Sequence, residues 1–276
     1  MKIMENQGKK RVGLCYKLVR YGNYAELLTY TIPELSLKKD DDSSVEKKEL
    51  SLSEKIELKK KHSRRCARDI KRLIYCNPEL TRFATLTYKE NMQDYDKAMK
   101  DFKNFMKRLN YSLGNDAVSL KYISVLEYQK RGAIHFHFLF DRFIPVKLME
   151  NAWGHGFVSL KCMNSVCSCV SYITKYMTKF DSGSAVLNRK KAYRTSRNLN
   201  RPEELITQCP FEIKEYINDI KKKENVSVQC YRTDCVETDF VGQITIENFV
   251  FVSNSDYDIL TDKQLKARLK GVQVRE

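Results

Sequence analysis

The sequence predicts an α+β protein in which short strands pair antiparallel and amphipathic helices pack against them. Three observations lead there. Residues 121–128 and 134–140 are strand-like segments separated only by Gln129–Ala133, a gap that suits an antiparallel pair with Arg131 and Gly132 in the turn. Tyr95, Ala98, Met99, Phe102, Phe105, Met106 and Leu109 recur at helical spacing between Asp94 and Asn110 and read as core. Residues 13–32 read as two extended stretches joined at Tyr21–Asn23, a hairpin.

The remaining elements follow in order. Residues 38–48 are charged and Ser-containing and read as an exposed linker. Ser53 is placed as the cap of a helix running to about Cys76, where Asn77 and Pro78 end it. Its apolar side carries Ile56, Cys66, Ala67, Ile70, Leu73 and Ile74, and it is strongly basic elsewhere. Arg82–Tyr88 alternates as a strand does. Val146–Trp153 reads as a helix, Gly156–Leu160 as a short strand, and about Ser165–Lys179 as a helix bearing two tyrosines. Beyond a basic segment (Arg189–Arg201) come a helix from about Phe211 to Glu224 and two strand-like stretches, Val226–Cys235 and Gln243–Val252.

Composition narrows the function. Fifty Lys and Arg against 35 Asp and Glu give a formal net charge of +15, which points to a polyanionic partner, nucleic acid before membrane. No apolar run approaches the roughly 20 residues needed to span a bilayer, and residues 1–11 lack the apolar centre of a signal peptide. The nine cysteines are scattered without finger-type spacing, so free thiols in a reducing cytosol are expected. No G-x-x-x-x-G-K-[ST] loop is present, which argues against a fused helicase motor.

Two constellations carry chemistry. His135 and His137 alternate on a strand, so both imidazoles face one side while Ile134, Phe136 and Phe138 face the other. Such a pair is a ready chelate for a divalent ion, and Glu127 or Gln129 on the neighbouring strand would share that face. A half-buried strand also carries histidines for no such reason. The second is a repeated Y-x-x-K, Tyr172-Lys175 and Tyr176-Lys179, with each residue type one helical turn apart. A phenol titrates near 10, so a nearby cation is needed to make it a nucleophile. Packing alone also explains helical tyrosines.

Phe83–Tyr88, His135–His137 and the Tyr/Lys helix, in this order, resemble the three motifs of HUH endonucleases. The similarity is greatest to the replication initiators (Rep proteins) of small phages and rolling-circle plasmids. Glu127–His137, Tyr193–Leu199 and Arg201-Pro202 share in it, and it covers roughly residues 60–202. The resemblance implies a central antiparallel sheet flanked by helices, a ferredoxin/RRM-like core with the histidine strand central. It divides the chain into an N-terminal hairpin and linker (1–50), a nicking-joining core (51–202) and a C-terminal α/β extension packed on the core (203–276).

The resemblance further implies His135, His137 and Glu127 as ligands of Mg²⁺ or Mn²⁺, with Gln129 as a substitute third ligand. Tyr172 and Tyr176 match the two nucleophile positions, with Lys175 and Lys179 assisting the phenols or holding phosphate. Thr85 and Thr87 fall in the first motif, as support and DNA contact. The implied activity is nicking of single-stranded origin DNA by a tyrosine, leaving a 5′-phosphotyrosine and a free 3′-OH. Host polymerase and helicase would be partners, in a bacterial cytoplasm and away from membranes. Arg64, Arg65, Arg189, Lys190 and Lys191 are basic residues suited to tracking the DNA backbone. Three alternatives stay open: a mobilisation relaxase or transposase with the same chemistry, a non-catalytic basic nucleic-acid-binding regulator, and a structural zinc site made of His155, Cys162, Cys167 and Cys169.

Overall fold

The computed structural model describes residues 11–33, 51–114, 120–129, 131–178, 193–238 and 242–254. The elements run β1 (Arg11–Tyr21), β2 (Tyr24–Pro33), α1 (Leu52–Cys76), β3 (Arg82–Tyr88), α2 (Tyr95–Leu113), β4 (Tyr122–Tyr128) and β5 (Ile134–Phe140). They continue with α3 (Val146–Trp153), β6 (Gly156–Cys162), α4 (Val166–Thr178), β7 (Tyr193–Thr195), β8 (Glu203–Thr207), α5 (Pro210–Glu224), β9 (Val226–Thr238) and β10 (Gly242–Ser253). Two antiparallel sheets with five helices among the described residues make the α+β fold that the sequence predicts. Described residues from Ser51 to Arg201 form one compact unit; residues 11–33 with those from Pro202 onward form another.

In the first unit the sheet order is β6-β3-β5-β4-β7, every neighbour antiparallel, so the histidine strand β5 is central. All seven residues of β5 are buried, because helices cover both faces of the sheet. On one face Leu86, Phe136 and Phe138 meet Phe102, Phe105 and Leu109 of α2 and Trp153 of α3. On the other, Phe83, Ile123 and Leu139 meet Ile70 and Ile74 of α1 and Val170 and Ile173 of α4. Each fully buried side chain of this size stabilises the fold by about 1.5–3 kcal/mol relative to exposure. The histidines fall on the α1/α4 face, beyond the end of its apolar cluster.

Local chemistry sets the boundaries. Helix α1 is capped by Ser51 rather than Ser53: the Ser51 hydroxyl accepts from the Glu54 amide, and the Glu54 carboxylate accepts from the Ser51 amide. Serine three residues before glutamate closes this reciprocal box, whereas three residues after Ser53 stands Ile56, which has no acceptor to offer. At the other end Asn77 is fully buried. Its amide nitrogen donates to the carbonyls of Leu73 and Asn200, and its oxygen accepts from the Asn200 amide, so one side chain joins the end of α1 to the segment after β7. Asp94 caps α2 by accepting from the Asp96 and Lys97 amides. Gly156 opens β6 where a Cβ would collide with the Thr87 carbonyl oxygen and the Lys89 amide, so only glycine lets β6 close on β3.

In the second unit the order is β8-β1-β2-β10-β9. The β1–β2 hairpin turns at Gly22 and Asn23, as read from the sequence, with Gly22 at φ 54°. Its second strand pairs with β10, more than 200 residues away in the chain. Helix α5 packs Ile213 and Ile220 over Leu18, Leu27 and Phe251. Among the described residues no helix is long and apolar enough to cross a membrane.

Candidate active site

Strand register assembles the polar cluster. On β5, His135 lies opposite Thr87 of β3 and Glu127 of β4, and His137 lies opposite Thr85 and Val125. Since residues two apart share a face, Phe83, Thr85 and Thr87 form a row beside the two imidazoles. The threonine hydroxyls reach the Nδ1 atoms, Thr85 to His137 at 3.3 Å and Thr87 to His135 at 3.4 Å. Each ring is thereby oriented with Nε2 directed away from β3. Gln129 approaches the same Nδ1 of His135 at 3.5 Å.

Glu127 crosses diagonally. Its Oε2 lies 2.7 Å from Nε2 of His137, one row beyond its direct partner His135. With Nε2–H donating to this carboxylate, Nδ1 of His137 is left to accept from the Thr85 hydroxyl. A hydroxyl both donates and accepts, so Thr85 equally supports the tautomer whose Nε2 offers a lone pair. His135 differs: its Nε2 is buried with no hydrogen-bond partner. An orphaned buried nitrogen costs about 1–3 kcal/mol. Burial first, and then the neighbouring His137, push the His135 pKa down, which keeps this imidazole neutral and its lone pair available.

These features bear on a metal. A divalent ion needs unprotonated imidazole nitrogens and a carboxylate, and the cluster holds them: Nε2 of His135 without a partner, Nε2 of His137, and Glu127 beside it. The donor set fits such an ion. As they stand, however, no three His, Cys, Asp or Glu side chains among the described residues are arranged around a common point as a bound ion requires. Glu127 is instead bonded directly to the nitrogen that an ion would take.

Helix α4 brings the tyrosines. Cys169, Val170 and Ile173 anchor it in the core, which leaves Tyr172 and Tyr176 partly buried along the edge of that cluster. Tyr176 lies over His137 with ring centroids 3.4 Å apart and planes 16° from parallel. Tyr172 meets Phe83 edge-on at 4.7 Å, and the two tyrosine rings are 5.5 Å apart. Burial raises the Tyr176 pKa, helped by a hydrogen bond with Tyr172 and by the Glu127 charge, so its phenol is held protonated.

Of the other sequence-predicted residues, Lys175 is exposed on α4, and Arg64 and Arg65 are exposed on α1. Lys179, Arg189, Lys190 and Lys191 lie outside the described residues. A lysine the motifs did not indicate stands nearest the tyrosines in the fold: Lys161 of β6 sits 5.0 Å over the Tyr172 ring. Only strand pairing brings it there, so no local signal marks it. The four zinc candidates do not converge. His155 lies 3.6 Å from Asp101 and packs on Tyr88 and Trp153 in the α2/α3 core, whereas Cys169 lies in the core across the sheet and donates to the Leu80 carbonyl.

The fold and the cluster together define an α+β protein with a His/Glu pocket on a central antiparallel strand and tyrosines from an adjoining helix. Residues 81–181 match the family of replication-associated proteins of the ORF2 and gene-2-protein type. The matched segment runs from the start of β3 past α4, so it contains the histidines, Glu127 and both tyrosines. The match supports a Rep-type replication initiator, in agreement with the resemblance carried by the motifs, and with it a role in the initiation of replication. No curated protein and no solved structure matches the chain.

Proposed function

We propose that this protein initiates rolling-circle replication by nicking single-stranded origin DNA with a tyrosine nucleophile. The observation that carries the reading is the stack of Tyr176 on His137 beside Glu127 and the partnerless Nε2 of His135. A phenol, a carboxylate and two imidazoles thus meet at one end of a sheet, within the segment that matches replication-associated proteins.

In this reading His135, His137 and Glu127 hold Mg²⁺ or Mn²⁺, whose chemistry there is Lewis-acid polarisation of the scissile phosphate. Tyr176 gives up its phenolic proton and its oxygen attacks phosphorus. A phosphotyrosine bond forms at the 5′ side, and the P–O3′ bond breaks. The departing 3′ oxygen takes a proton and becomes the primer end for a host polymerase, with a helicase opening the duplex ahead. The phosphoester energy is conserved in the link, so the reverse reaction rejoins strands without ATP. Tyr172 hydrogen-bonds Tyr176 and is placed to receive a second strand. Thr85 and Thr87 hold the imidazole planes, an orienting role of the kind that tunes ligand nitrogens.

The test is incubation of the full-length protein with labelled single-stranded DNA from its own origin region, with Mn²⁺ and with EDTA. The expected result is a protein–DNA adduct that survives denaturing electrophoresis, needs Mn²⁺, and is absent from a Tyr172→Phe/Tyr176→Phe variant. Origin DNA that is bound but never cut or joined would replace this reading with that of a non-catalytic binder.

A further inference from the structure

Helix α1 is longer than the sheet beneath it requires. Its second half is anchored by Cys66, Ile70, Leu73 and Ile74, all buried. Its first half has no such anchor: Ser53, Glu54, Lys55, Ile56, Glu57 and Leu58 are all exposed. Six successive residues point in every direction around a helix, so this stretch is bare on its whole circumference. Over the advance of about 21 Å from Ser51 to Arg65, the residues that count as partly covered are Lys59 and Ser63, the side chain of Leu52 apart.

The charge on this helix is patterned. Leu52–Cys76 contains nine Lys or Arg and three acidic residues. Lys60, Arg64 and Arg68 recur every fourth residue and are exposed, with Arg65 beside them. At the helical period these four fall within an arc of roughly 140°, on the side opposite Cys66, Ile70 and Leu73. One turn links each to the next, so they form a ridge of cations along the axis.

We propose that the first half of α1 is an arm that binds double-stranded DNA, lying in the major groove beside the single-stranded segment handled by the histidine/tyrosine pocket, with Lys60, Arg64 and Arg68 on phosphates. A helix with its side chains is about 10–12 Å across and the major groove is about 12 Å wide, so a helix bare on all sides can enter it. A single strand is gripped by aromatic platforms, and residues 51–65 contain no Phe, Tyr or Trp. A membrane surface needs one apolar stripe, whereas Ile56 and Leu58 point roughly 160° apart. The inference rests on the nicking reading only for the position of the duplex; the binding itself is measurable without nicking.

The experiment is fluorescence anisotropy with full-length protein in EDTA, using a labelled 20-bp duplex and a labelled 20-nucleotide oligo(dT) as probes. The variant Lys60→Ala/Arg64→Ala/Arg68→Ala is expected to lose at least about tenfold in duplex affinity at 0.1 M salt. Its slope of log K against log salt should fall by about 2.7, for three phosphates no longer neutralised. Oligo(dT) affinity should stay within about twofold of the parent. Duplex affinity unchanged within twofold, or an equal loss on both probes, overturns the proposal. The charge-keeping variant Lys60→Arg/Arg64→Lys/Arg68→Lys should retain duplex affinity within about threefold, and its failure to do so also overturns it. Absence of a Mn²⁺-dependent adduct on single-stranded origin DNA would defeat the nicking reading alone and leave the duplex result standing.

Discussion

Tyr176 lies flat on His137, ring on ring at 3.4 Å, while Tyr172 one turn earlier meets Phe83 edge-on instead. The two tyrosines of one helix therefore occupy different chemical positions. Tyr176→Phe preserves the stack and removes only the phenolic oxygen. It should keep the thermal midpoint within about 3 °C and reduce adduct formation at least about 100-fold, with Tyr172→Phe losing less than about tenfold. The reverse ranking in a gel-based adduct assay would make Tyr172 the nucleophile.

The phenol of Tyr176 is held protonated by burial, by Tyr172 and by the Glu127 charge. Its reactive form is the phenolate, and a raised pKa leaves that form scarce at neutral pH. Each unit rise in pH below the pKa therefore multiplies it about tenfold. Single-turnover nicking should rise with a slope near one in log rate between about pH 6.5 and 8.5. A flat profile would mean that phenol deprotonation does not limit the reaction.

Nε2 of His135 is buried and unpaired, a cost that a bound cation would remove. Mn²⁺ at millimolar concentration should raise the thermal midpoint, and EDTA should reverse the rise. His135→Ala should abolish the shift while folding to a circular-dichroism spectrum like the parent's. A shift that persists in the variant would place the ion elsewhere.

Asn77 is fully buried and bonds the carbonyls of Leu73 and Asn200 and the Asn200 amide. Asn77→Ala leaves these backbone groups unpaired in the interior. We expect a loss of about 3 kcal/mol in urea unfolding, against under about 1 kcal/mol for exposed Asn151→Ala.

Burial pushes the Cys169 thiol up to about 11. At pH 8 its thiolate fraction is about one in a thousand. Iodoacetamide should label exposed Cys162, Cys209, Cys230 and Cys235 in the native protein and reach Cys169 only after denaturation, as read by peptide mass spectrometry.

Much of the site-bearing unit is legible in the sequence because its signals are local. Alternation in Ile134–Phe140 sets both imidazoles on one face, and the short gap after Tyr128 dictates the β4–β5 pairing. Helical spacing in α2 is repeated in the core it forms. The cap of α1 lies two residues from its expected place because two serines stand near its start, and only the position of Glu54 distinguishes them.

By itself, then, the sequence determined the elements, the face on which His135 and His137 lie, and the basic character that suits a nucleic acid. Those properties depend on neighbours within a few residues, where backbone period and side-chain preference act directly. Tertiary structure alone decided that Glu127 bonds His137 across the diagonal, that Thr85 and Thr87 steady the rings, and that Lys161 reaches Tyr172. It also decided that the hairpin of residues 11–33 pairs with a strand near residue 248. Such relations are set by register and packing between distant segments, where many pairings satisfy the same local pattern and burial selects among them.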